Sequence, residues 1–127
     1  MSDKPKIIAD TGHNVQGIQV IVNQLKKQQY KTLHIVIGMV NDKDISGVLK
    51  LLPADAIYYF TQAQVKRALS ATMLREKAYC YNLSGNSFGS VKDAINEAIL
   101  DAGADDLILI TGSNFVVGEA LTLFPVN

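Results

Sequence analysis

Five short apolar runs alternate with five helix-like patterns along this chain, and that order leaves few folds open. The runs lie at 6–10, 32–38, 56–61, 79–83 and 106–111 and are rich in Ile, Val, Leu and Tyr. They carry few alternating charges, as expected of parallel strands covered on both faces. The segments 14–28, 43–52, 70–78, 90–102 and 114–123 read as helices. Val15, Ile18, Ile21, Val22 and Leu25 fall on one face of the first. Ile45, Val48, Leu49 and Leu52 make a stripe on the second, and Val91, Ala94, Ile95, Ala98 and Ile99 one on the fourth. Ser90 and Asp93 suit a capping box opening the fourth helix, and Gly103 suits the position that closes it. The segment 84–89, Ser-Gly-Asn-Ser-Phe-Gly, reads as a flexible turn by composition.

Alternating βα units require crossover connections, and crossovers make a parallel sheet. The expected architecture is α/β: a three-layer, Rossmann-like fold with a mostly parallel sheet of five or six strands flanked by helices. The 127 residues suit a single domain spanning 1–127. Hydrophobic residues make up 48% and charged residues 19%, which fits a globular chain rather than a disordered one. Lys plus Arg and Asp plus Glu each number 12, so the formal net charge is zero. That balance argues against a partner recruited mainly by charge, such as nucleic acid or an anionic membrane. The basic pairs Lys26-Lys27 and Lys66-Arg67 read as solvated faces. The single cysteine, Cys80, has no partner for an internal disulfide, and its apolar surroundings predict a buried thiol. Residues 1–6 are polar, no signal peptide is visible, and no apolar stretch approaches the roughly 18 residues of a membrane span. A soluble, cytoplasmic monomer is expected.

A parallel sheet places all carboxyl ends on one edge, so polar residues after each strand become neighbours. Asp10, Thr11, Gly12, His13 and Asn14 follow the first run; Gly38, Asn41, Asp42, Lys43 and Asp44 follow the second. Thr61, Gln62, Lys66 and Arg67 follow the third, and Thr111, Gly112, Ser113 and Asn114 the fifth. In an open α/β sheet this edge is where ligands bind, because backbone N–H groups and helix dipoles favour anions there. A turn alone uses Asp, Gly and Asn for backbone reasons, but it gives no account of His13. Thr111-Gly112-Ser113 fits two readings: N–H groups and a hydroxyl offered to an oxyanion, or a serine capping the helix that follows. Asp42-Lys43-Asp44 reads from its own residues as a surface loop with Asp44 as N-cap, and His34 as a packed core histidine. The chain has no G-x-x-x-x-G-K-[ST], no G-x-G-x-x-G and no G-x-S-x-G, and one cysteine with two separated histidines makes no Cys/His metal spacing.

Four segments, in order, carry a resemblance. They are Asp10-Thr11-Gly12-His13-Asn14, the run from Val36 to Asp44, Lys66-Arg67-Ala68-Leu69, and the run from Leu109 to Glu119. Together they resemble the C-terminal domain of folylpolyglutamate synthase/dihydrofolate synthase, in the Mur ligase superfamily, over nearly the whole chain. The resemblance implies an ATP-dependent ligase that adds L-glutamate to dihydropteroate or a folate through an acyl phosphate. It implies ATP and Mg as cofactors, with the phosphate loop and metal ligands on further domains that this sequence does not contain. The chain is then expected to be one domain of a larger enzyme, and inactive alone. Carried over by position, Asp10 and Asn14 correspond to ATP-binding positions, with Asp10 on the ribose. His13 faces the reaction centre as the catalytic candidate and, with Ser113, the glutamate. Asp42, Lys43, Arg67, Thr111 and Gly112 are further cleft candidates; no metal ligand is assigned. The family's usual Asp-Gly-Ala-His-Asn-Pro stands here as Asp-Thr-Gly-His-Asn-Val, so Val15 replaces a helix-starting proline. Two other readings compete. A phosphoacceptor receiver domain needs an aspartate after the third strand and a lysine after the fifth, where this chain has Thr61 and Ser113. A stand-alone nucleotide- or anion-binding module needs only the cleft.

Overall fold

The computed structural model describes residues 5–12, 14–41 and 44–123. His13, Asp42 and Lys43 lie outside these described residues. The elements follow in the order β1 (Lys6–Ala9), α1 (Val15–Leu25), β2 (Leu33–Ile37), α2 (Ile45–Leu51), β3 (Ile57–Phe60), α3 (Ala71–Tyr79), β4 (Gly85–Ser87), α4 (Val91–Asp101), β5 (Leu107–Thr111) and α5 (Asn114–Leu123). The sheet has five strands in the order β1-β5-β2-β3-β4, and every pair is parallel. The α/β expectation holds.

Side-chain alternation along the strands divides the core into two layers. Leu33, Ile35, Ile37, Tyr58, Phe60, Leu107 and Leu109 face α1, α2 and α3 through Ile18, Ile21, Val48, Leu49 and Leu74. Val36, Tyr59, Ile108 and Ile110 face α4 and α5 through Val91, Ala94, Ile95, Ala98, Val116 and Ala120. β2 and β5 are buried at every residue, which is why they read as continuous apolar runs. The helices start where polar caps stand. Asn14, Asp44, Ser70 and Ser90 each accept an N–H from the first turn of their helix, donated by Gly17, Gly47, Met73 and Asp93.

Three expectations are corrected. The run 79–83 is not a strand: α3 continues to Tyr79, and Asn82 adopts φ 65° in the turn that follows. The Leu83 N–H donates to the Ala78 carbonyl across that turn, so the apolar letters belong to a helix end. The edge strand β4 instead lies in the supposed flexible turn, as Gly85-Asn86-Ser87, paired with Tyr58, Tyr59 and Phe60. Gly85 fits because a Cβ there would overlap the Tyr58 carbonyl. Cys80 follows the last turn of α3 and is exposed, not buried. Gly103 follows α4, but Gly112 is the only described glycine with positive φ. α4 ends through an extended Ala102, and the Gly103 N–H donates to Asp106 Oδ2 at 3.0 Å.

His34 is a core histidine as expected, 1% exposed on the α4 side of β2. Its Nε2 stands 2.9 Å from Asp106 Oδ2, and the Thr32 N–H donates to Asp106 Oδ1 at 3.2 Å. Burial pushes the Asp106 carboxyl up, but the N–H of Gly103, the His34 ring and the N–H of Thr32 outweigh it and hold the group below its usual range. A carboxyl depressed by folding stabilises above its unfolded pKa of about 3.9, and that stability is lost as pH falls through the folded value. Asp106→Asn is therefore expected to flatten the acid limb of a stability–pH curve measured by urea unfolding, with the wild-type chain showing the steeper loss below about pH 4.

Candidate functional site

The carboxyl edge of the sheet is organised around one peptide carbonyl. The Gly12 oxygen accepts two hydrogen bonds from the turn after β5: the Gly112 N–H at 3.2 Å and the Thr111 hydroxyl at 3.2 Å. The Asp10 N–H donates to the Ile110 carbonyl at 2.9 Å, so the two turns are laced from both sides. Asp10 Oδ1 in turn accepts the Gly12 N–H at 2.8 Å, which closes the 10–12 turn. Gly12 and Gly17 then meet across the start of α1, where a Cβ on Gly17 would lie 3.1 Å from the Gly12 Cα.

On the other side, β2 joins the same point. The Gly38 N–H donates to the Thr111 carbonyl. Gly112 has φ 111°, and a Cβ there would overlap the Gly38 carbonyl. The turn that carries Ser113 thus needs glycine for both its backbone angle and its clearance. The helix after β5 packs on the opposite face of the sheet from those after β1 and β2. Such a change of face between adjacent strands opens a crevice at the carboxyl edge.

Asp10, Asn14, Thr111, Gly112 and Ser113 are therefore brought together. Asp10 is half-buried; Thr111, Gly112 and Ser113 are buried. Ser113 Oγ accepts the Val116 N–H at 3.1 Å, so the capping reading is realised. A capping hydroxyl accepts with its oxygen and retains a proton to donate. Asn14 Oδ1 accepts the Gly17 N–H at 2.8 Å, and its amide group retains N–H donors. The expectation that Gly112 offers its N–H to an oxyanion is corrected, since that N–H is taken by Gly12. Thr111 likewise gives its hydroxyl to the main chain.

Arg67 belongs to a second cluster, further along the same edge. The Asn41 N–H donates to the Arg67 carbonyl at 2.7 Å, Leu69 N–H to Met39 at 2.9 Å, and Val40 bridges Ala68 in antiparallel fashion. This pairing holds the exposed Lys66 and Arg67 beside the segment that leads to Asp42 and Lys43, whose own placement is outside the described residues. Sequence reasoning missed the residues that fasten this loop. Gln62 Oε1 accepts the Ala71 N–H, Glu119 Oε2 accepts the Gln64 N–H at 2.8 Å, and Gln64 Nε2 donates to the Gly89 carbonyl. Glu119 closes the run that carried the resemblance, which was the available signal. Among the described residues no group of three His, Cys, Asp or Glu could hold a metal ion, and no helix is long and apolar enough to cross a membrane.

A parallel α/β domain with laced turns and five capped helices starting at its carboxyl edge has the layout in which open α/β sheets bind ligands. Residues 1–114 match the family described as Mur ligase, glutamate ligase domain, and the chain belongs to that family. The dihydrofolate synthase/folylpolyglutamate synthase of Escherichia coli K12 is 31% identical over 123 residues, covering 95% of this chain and 28% of that relative. A solved structure of E. coli FolC in complex with DHPP and ADP superposes with a TM-score of 0.87 at 30% identity, covering 97% of this chain and 29% of that one. A bifunctional folylpolyglutamate synthase/dihydrofolate synthase solved with Mn, AMPPNP and L-glutamate gives a TM-score of 0.82 at 30% identity, over 97% and 30% of the two chains. The chain thus spans less than a third of the length of these relatives.

The geometry ranks two substitutions. Gly112→Ala must move the turn or the Gly38 strand end and is expected to cost about 3 kcal/mol or more. Ser113→Ala removes one cap and is expected to cost about 1 kcal/mol. Urea midpoints at unchanged m-value read both, and the reverse ranking would show that the turn does not depend on the close approach at Gly112.

Proposed function

We propose that this chain is the glutamate-ligase domain of an ATP-dependent ligase that joins L-glutamate to dihydropteroate or a folate. The observation that carries the reading is the double hydrogen bond on the Gly12 carbonyl, which unites the Asp10–Asn14 and Thr111–Ser113 turns at one point of the edge. Family membership and the likeness to enzymes solved with ADP, AMPPNP and L-glutamate support it.

Within this reading Asp10 accepts the ribose hydroxyls of ATP. Its bond from Gly12 fixes the carboxylate, and a carboxylate has acceptor sites beyond the one used. Asn14 stands beside it with amide donors. Ser113 donates its hydroxyl proton to a glutamate carboxylate, at a helix start whose dipole favours the negative charge. His13, one residue before the α1 cap, orients the incoming amine. Arg67 supplies positive charge at the second cluster, and Lys43 is a candidate for the same role from the sequence. When bound, ATP and its metal ion activate the acceptor carboxylate, and the domain's part is to hold nucleotide and glutamate in register for attack. In this reading the metal ligands belong to other domains of the ligase.

Three outcomes test this. The 127-residue chain by itself is expected to fold but to show no ATP-dependent glutamate ligation, because its sequence contains no phosphate loop; turnover by the purified chain would overturn the division of labour. Asp10→Ala in the parent ligase is expected to raise the KM for ATP more than that for glutamate, by a loss of about 1.5–3 kcal/mol for one charge-assisted bond. The opposite ranking moves Asp10 to the amino-acid side. His13→Ala and Ser113→Ala are each expected to weaken apparent glutamate affinity about five- to a hundredfold at saturating ATP, roughly 1–3 kcal/mol. Unchanged glutamate dependence in both folded variants reduces them to a turn and a cap.

A further inference from the structure

The segment from Thr61 to Ser70 passes from one face of the sheet to the other over its carboxyl edge. Ala63 and Val65 pack in the layer of α4 and α5, whereas Leu69 packs in the layer of α1, α2 and α3. Between them the Ala68 N–H donates to the Val65 carbonyl at 3.2 Å and closes a turn. Its two central residues are Lys66 and Arg67, both exposed. Two adjacent cations thus stand where the chain crosses the edge. This strap is fastened differently at its two ends. Toward α2 and α3 the main chain holds it, through the Asn41 N–H on the Arg67 carbonyl and the Leu69 N–H on the Met39 carbonyl. Toward α4 and α5 side chains hold it. Glu119 Oε2 accepts the Gln64 N–H at 2.8 Å, and Gln64 Nε2 donates to the Gly89 carbonyl at 3.0 Å.

We propose that Glu119 is a positioning residue: through the Gln64 N–H it fixes the Lys66–Arg67 turn over the carboxyl edge, where the two cations take an oxyanion of a substrate, a carboxylate or a phosphate. The identity of that substrate rests on the ligase reading above; the tie itself does not. Glu119 is the only charged residue of α5, whose buried face is supplied by Val116, Val117 and Ala120. Packing therefore gives no reason for an acid at this position. Ser113 caps the same helix six residues earlier, about 9 Å along its axis. One rigid rod thus carries both a candidate glutamate contact and the carboxylate that holds the strap. Lysine and arginine lose much rotamer freedom when they are ordered on a ligand. A turn free to drift would add its own disorder to that cost and spoil the geometry of the contact. Because the tie is made to a backbone N–H, it fixes the main chain and leaves the side chains to follow the ligand.

Two measurements test this, one for the tie and one for its purpose. In the 127-residue chain, exchange of the Gln64 amide hydrogen is expected to speed up about tenfold or more in Glu119→Ala. Glu119→Gln, whose amide oxygen still accepts, is expected to bring the rate back toward that of the unsubstituted chain. Unchanged exchange in Glu119→Ala overturns the proposal. In the parent ligase, Glu119→Ala is expected to raise the KM for one substrate about three- to tenfold with kcat changed less, and Glu119→Gln to restore it. A rise for L-glutamate gives the cations a carboxylate; a rise for ATP gives them a phosphate. In a ligase already carrying Lys66→Ala and Arg67→Ala, Glu119→Ala is expected to add less than about twofold, because it acts through them. Full additivity, or a KM that does not move, overturns the proposal and leaves Glu119 a loop fastening. The unsubstituted ligase is the control. Without ATP-dependent glutamate ligation there, the ligase reading fails and the purpose given to Glu119 fails with it, while the tie is still decided by Gln64.

Discussion

The whole carboxyl edge depends on how closely three strand ends can approach one another. A carbonyl oxygen has two lone pairs, and Gly12 uses them to take two donors from the turn after β5. That is possible because β1 pairs directly with β5, which places their ends level. The third partner, β2, comes in through Gly38, where a Cβ would lie 2.8 Å from both the Thr61 carbonyl and Val116 Cγ2. The same residue thus sets the spacing to β3 and to α5. Two glycines without side chains, at 38 and 112, let a three-strand junction close, and the residues with chemistry ride on it.

The two edges of the sheet solve opposite problems. At the carboxyl edge, polarity is supplied by backbone groups and by caps that stay neutral or singly charged. At the amino edge, charge is neutralised internally, with Asp106 receiving two N–H groups and a histidine. Burial also pushes the Tyr58 and Tyr59 hydroxyls well above the usual phenol range, so both stay protonated and act as donors. Tyr58 gives its proton to the Pro53 carbonyl, and Tyr59 gives its own to Asp101. Each aromatic body fills one of the two core layers while its polar end ties the sheet to a flanking segment.

The sequence discloses these features unevenly, for physical reasons. α1, α2 and α4 were legible because a stripe of buried residues and a capping side chain agree at each. β4 was not, since an edge strand of Gly, Asn and Ser is held by backbone bonds that leave no side-chain pattern. The apolar letters of Tyr79, Cys80 and Tyr81 misled because Tyr79 and Cys80 lie exposed at a helix end rather than in the core. At the site, Asp10, Asn14 and Ser113 could be placed from chain order alone, because parallel strands deliver their carboxyl ends together. The fate of the Gly112 N–H could not: its acceptor arrives from the far end of the chain, as does the partner of Thr111, 99 residues away.

The caps also sort the edge by what each has left to offer. Asn14, Asp44 and Ser113 all spend an oxygen on a backbone N–H at a helix start. After that expense Asp44 retains only acceptors, Asn14 retains amide donors, and Ser113 retains one hydroxyl proton. A ligand carboxylate therefore has reason to settle at the α5 and α1 ends of the crevice and none to settle beside Asp44. Hydroxyl or amino groups are drawn instead toward the Asp10 and Asp44 carboxylates. In the proposed reading a nucleotide ribose and an amino acid present those two kinds of group, and the junction at Gly12 holds the turns that carry Asp10, Asn14 and Ser113 together.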